Sequence, residues 1–183
     1  MELGEKLFGS KWFMNQVEKE AKRDSIPFSE KVGQLVAIAG TVIVLLFFSI
    51  HQTRPTGFFT DEFGSGDSAL MYVMILLGIL PALVRFLKGS RNAARPPDAL
   101  SLATFFVGGL YFLITWPFDF AYFAAPLPHS LEFLLDWVTA DIGKLVTGIG
   151  VVVSPFFSAL TFLTYLGVKK RLAQPQVVQP PPA

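Results

Sequence analysis

The chain contains no cysteine in its 183 residues. Disulfides, thiolate metal sites, iron–sulfur ligation and thiol chemistry are therefore closed to it. Charge is also scarce: 16% of residues are charged, well below the roughly 25% typical of soluble domains. The formal net charge of +1 offers no concentrated basic footprint, so nucleic acid is not an expected partner. No Asn-x-Ser/Thr sequon occurs, which argues against a glycosylated surface protein. Two histidines, His51 and His129, are the full complement. Missing too are a G-x-S-x-G elbow, an H-E-x-x-H pair and a phosphate-cradling glycine loop; Gly148-Ile149-Gly150 lies inside an apolar run with no strand before it. Nothing in the sequence points to an enzyme.

What the chain has is apolar residues in blocks. They make up 52% of it, 14% of all residues are aromatic, and mean hydropathy is +0.51. Four stretches approach or exceed the roughly 18–20 apolar residues that cross a bilayer core: 32–50, 69–87, 99–118 and 145–168. About thirty mostly polar residues precede the first, which reads as an uncleaved anchor rather than a secretory signal. The expected fold is all-α, a compact integral membrane bundle of four helices. Residues 1–31 supply a cytosolic amphipathic helix and linker, and 169–183 a disordered, Pro-rich cytosolic tail. Pro81 predicts a kink in the second span. Arg85 to Arg95 reads as a basic connection ended by Pro96-Pro97, and Ser130 to Trp137 as a short amphipathic surface helix.

Basic residues set the orientation. Thirteen of the fifteen lie in 1–31, in 85–95 or in 169–171, against Arg54 and Lys144 in the two other connections. Both termini are accordingly expected in the cytosol, in a multi-pass protein of the cell membrane. Trp12, Trp116 and Trp137 fall at the predicted boundaries, as an aromatic belt requires.

In the N-terminal segment Leu3, Leu7, Ser10, Met14, Val17 and Ala21 recur at helical spacing, with Phe8 and Trp12 as an adjacent apolar pair. This predicts an amphipathic helix at the membrane interface, with Leu3, Leu7, Phe8, Trp12, Met14 and Val17 docking against lipid or a partner. Ser25-Ile26-Pro27 should end it.

Spans associate by close packing, since lipid tails are as apolar as leucine. Small residues therefore mark expected contacts: Gly33, Ala37 and Gly40 in the first span, Gly78 and Ala82 in the second, and Gly150, Ser154 and Ser158 in the fourth. These suit ordinary packing within one chain better than a dedicated oligomer interface. Ser154-Pro155 is a possible hinge, more often simply a matter of helix shape.

Within those boundaries the spans hold one charged residue, Arg85, near enough to the cytosolic end to snorkel. Pumps and proton-coupled transporters keep ionisable groups at depth, so a pump is not expected. Acids collect on the outer side. Asp61, Glu62, Asp67 and Asp119 are candidate oxygen ligands for a divalent cation, set against the plainer reading of acids solvating loops; the twelve-residue calcium-loop spacing is missing. Asp119, inside Trp116-Pro117-Phe118-Asp119-Phe120, is the acid whose aromatic neighbours most reduce its hydration. His51 and His129 are candidate haem or metal ligands by their shared side, although neither lies within a span. No cofactor is predicted. The leading expectation is a non-enzymatic accessory, scaffold or assembly subunit packing against another membrane protein. An oligomeric channel or facilitator with an acidic outer vestibule, and a haem- or metal-binding redox subunit, remain as alternatives.

Overall fold

The computed structural model describes residues 10–174. Leu3, Leu7 and Phe8 of the expected docking face, and all but the start of the Pro-rich tail, lie outside the described residues. The described chain is all-helical: α1 (Lys11–Lys22), α2 (Phe28–Thr53), α3 (Ser65–Lys88), α4 (Arg91–Thr115) and α5 (Ala140–Leu172), with short 3-10 helices at Phe120–Tyr122 and His129–Leu134. Helices α2 to α5 are each long and apolar enough to cross a membrane. At 1.5 Å per residue the 33 residues of α5 extend about 50 Å, well beyond the ~30 Å hydrocarbon core.

Local chemistry accounts for the ends. Pro27 immediately precedes α2, where a fixed φ and a missing N–H cost nothing. At the start of α3 the Asp67 carboxylate accepts the Gly64 N–H at 2.7 Å. Gly89, at φ +62°, closes α3, and the Ser90 hydroxyl accepts the Ala93 N–H to open α4. Thr139 caps α5 in the same way.

This α3–α4 turn corrects one expectation. The basic connection is not a loop to Pro96-Pro97: only Gly89 and Ser90 separate the helices, and α4 runs through both prolines. Because they fall early in the helix, they forfeit only the bonds to the Asn92 and Ala93 carbonyls. The third span is displaced accordingly, to Arg91–Thr115 rather than 99–118. The expected surface helix at Ser130 to Trp137 is a 3-10 segment, His129–Leu134.

Packing follows chain order: α2 on α3, α3 on α4, α4 on α5, with α1 laid across the far end of α5. The bundle is therefore more open than the compact one expected. The α4–α5 seam is the tightest. Gly108 of α4 receives Met74 of α3, while its neighbour Gly109 receives Val151 of α5. Gly150 of α5 accommodates the Phe105 ring, whose Cε1 would lie 2.5 Å from an added Cβ. The Ser158 hydroxyl donates to the Ala99 carbonyl across the seam at 2.7 Å. Pro155 removes the N–H that would reach Val151, and the buried Ser154 hydroxyl donates to that carbonyl at 3.4 Å instead.

Gly78 faces Ser101 and Ala82 is buried, whereas a Cβ added at Gly33 or Gly40 would meet nothing within 4 Å and Ala37 is exposed. Among the described residues, nothing packs against either glycine of the first-span stripe at the distance of an added side chain. On α1, Phe13 and Val17 are buried against Val168 and Gly167 of α5, while Trp12 and Met14 point outward. Val17 is thereby spent inside the molecule, and Phe13, outside the expected stripe, is the larger anchor.

Candidate functional site

Short antiparallel bridges tie both ends of the bundle. At the α1 end, Ser25 pairs with Ser90. The Asp24 carboxylate accepts from the Ser90 hydroxyl and the Asn92 N–H. Arg91 pairs with Glu30, Arg85 with Asp98, and Arg95, almost fully buried, with Glu20 and with the Asn92 side-chain carbonyl. Arg85 therefore does more than snorkel: it closes the α3–α4 hairpin with a carboxylate just outside the span expected from the sequence. The whole cluster is internally satisfied, so it is an architectural clasp.

At the opposite end, Phe59 pairs with Phe118, with the Asp119 N–H donating to the Phe58 carbonyl at 2.7 Å and the Thr60 N–H to that of Pro117 at 3.2 Å. This folds the α2–α3 and α4–α5 connections over the helix ends, and their aromatic side chains pack inward. Phe58 lies 5.5 Å from Phe118 and 5.4 Å from Phe120. Trp116 ends α4 in a left-handed conformation, φ +42°, which is strained for a bulky side chain. That turn stacks its indole on Phe120 at 5.6 Å and 14°.

Beneath this cap is a cleft of about 570 Å³, within the size range of small-molecule sites. Phe58, Met71 and Phe112 form its buried floor, and Trp137 and Val146, both about two-thirds exposed, stand at its mouth. No acidic side chain among the described residues lines it. Its polar features are few. Thr147 lines it, Trp116 Nε1 is buried without a hydrogen-bond partner among the described residues, and beside the lining the Lys144 ammonium sits 5.2 Å from the centre of the Trp116 ring. Gly143, one residue before, leaves room for Phe120, whose Cζ would meet an added Cβ at 2.6 Å.

The residues expected to carry metal or haem chemistry are not brought together. Asp67 is committed to Gly64 and to the Tyr111 hydroxyl, and Asp119 caps the first 3-10 helix through the Ala121 N–H. Asp61 and Glu62 are exposed. Among the described residues no three His, Asp or Glu side chains are grouped to hold a metal ion. His51 is buried, sharing a 2.6 Å hydrogen bond with Thr56 and lying 4.5 Å from the Phe58 ring. His129 is exposed and pairs with Glu132 at 2.6 Å. One imidazole is thus enclosed by phenyl rings and the other stands in the open.

The cleft itself is not among the sites that the sequence suggests. Its signal was the density of aromatic residues at 116–123, matched by Phe58-Phe59 after the first span and Trp137 before the fourth. No known protein family, curated protein or solved structure matches the chain.

Proposed function

We propose that this chain is a non-enzymatic, multi-pass membrane protein of the accessory or assembly type, whose first span meets another membrane protein. One observation carries the reading. The most apolar eighteen residues of α2 include none that is buried, and α2 sits at the edge of the helix row. On that edge Gly33, Ala37 and Gly40 form a small-residue face where a Cβ added at either glycine would meet none of the described residues within 4 Å. Exposure to lipid is not unfavourable in itself, but small residues let two helix backbones approach closely, and dispersion and lipid release then favour association. The α1 end holds the excess of lysine and arginine, which supports a cytosolic placement of α1 and of the end of α5.

Native mass spectrometry after mild extraction tests this. A stoichiometric membrane partner is expected with the natural chain, and its loss is expected from G33L/G40L, whose own fold has open space at both positions. A chain that leaves the membrane alone and monodisperse overturns the reading. A mass of two identical chains would replace the foreign partner with a second copy.

A further inference from the structure

We infer that the aromatic cleft at the loop end binds an amphiphile with an anionic head and an apolar chain, seated with the chain among the phenyl rings and the head at Lys144 and the Trp116 indole. The inference stands whether or not α2 holds a partner.

Four features of the cleft lead there. Its volume and its lining of phenyl rings, methionines and aliphatic side chains fit a hydrocarbon chain, and Met71 and Met74 can adapt to chains of different shape. The mouth lies between Trp137 and Val146, both largely exposed. Val146 begins the apolar face of α5 that continues outward through Ile149 and Val152, so a chain can enter sideways from lipid without crossing water. The Trp116 indole N–H is a buried donor with no acceptor, and a head-group oxygen would satisfy it. Lys144 makes no ion pair among the described residues; its one close partner is the face of the same indole. A cation beside the lining and a donor within it thus come together at Trp116, in a largely apolar cleft that no carboxylate of the described residues lines. That edge complements an anionic, hydrogen-bond-accepting head better than a choline or ammonium head.

A fatty acid carboxylate and an anionic phospholipid phosphate share this chemistry, and the test separates them. The natural chain and its W12F variant, which removes the indole on α1, are placed in phosphatidylcholine nanodiscs. Tryptophan fluorescence is then followed as brominated oleic acid, brominated phosphatidylglycerol or brominated phosphatidylcholine is titrated in. Saturable quenching by at least one anionic lipid is expected at a mole fraction roughly fivefold below that of brominated phosphatidylcholine, and the better quencher identifies the head group. K144Q should erase the difference, and V146F, a change at an exposed position of the mouth, should weaken quenching by all three. Equal quenching by the three lipids in the natural chain, or an anionic preference that K144Q leaves intact, overturns the inference.

Discussion

The Tyr111 hydroxyl donates a 2.6 Å hydrogen bond to the Asp67 carboxylate, whose other oxygen accepts the Gly64 N–H. One acid therefore both opens α3 and ties it to the last turn of α4. By sequence alone it is a candidate cation ligand. In the folded protein its two oxygens are already in use, at a buried position where a lost acceptor is poorly replaced by water.

D67A removes the acceptor for both donors and should destabilise the protein by about 2 kcal/mol, while Y111F, which removes one donor, should cost about 1 kcal/mol. Unfolding in mixed micelles by increasing denaturing detergent gives both values. If Y111F proves neutral, the tyrosine contributes through its ring, which phenylalanine keeps, and not through the bond.

The glycines divide into two kinds. An added methyl at Gly109 would lie 2.8 Å from Val151, and at Gly150 it would meet the Phe105 ring at 2.5 Å. G109A and G150A should each lower stability by about 1–3 kcal/mol through overpacking of the α4–α5 seam. G33A and G40A meet open space and should leave the unfolding of the isolated chain unchanged. The same unfolding assay reports all four.

The contact of α1 with α5 is small and specific. V17A should cost about 1–2 kcal/mol locally by opening a gap against Val168. E20A should cost a similar 1–2 kcal/mol, because Arg95 then remains almost buried without its carboxylate, although Glu20 itself is one-third exposed. Both losses fall on a helix at the edge of the fold. Trypsin cleavage after Lys22 and Arg23 should accelerate severalfold, while global unfolding of α2 to α5 changes little.

The lack of cysteine makes topology directly measurable. Single substitutions S25C, S130C and Q174C fall at exposed positions. In sealed right-side-out vesicles, a membrane-impermeant maleimide should label S130C alone, and S25C and Q174C only after permeabilisation. Labelling of positions 25 and 174 from different sides would contradict an even number of crossings.

The span count was legible because it depends on local composition. About eighteen apolar residues with at most one charge near an end stay apolar whatever surrounds them, and each of the four runs became a helix. Boundaries moved where capping and pairing intervened. Gly89 and Ser90 shortened the α3–α4 connection to two residues, and Asp98, outside the expected span, became the partner of Arg85. The Phe13–Val17 contact of α1 was half visible. Val17 lies on the expected stripe, but that stripe runs through Met14 and not Phe13, because spacing alone does not say which apolar row meets the protein.

By itself, the order of residues determined a membrane-type, all-helical chain with four candidate spans and little ionisable chemistry between their ends. Only the tertiary structure decided which small residues are seams. Gly108, Gly109 and Gly167 received neighbours, whereas Gly33 and Gly40 did not, and the rings of 58–63 and 116–123 closed over a cleft. The reason is physical: in hydrocarbon every apolar face is equally well solvated. Which faces meet is then set by shape, and shape exists only once distant side chains are placed against one another.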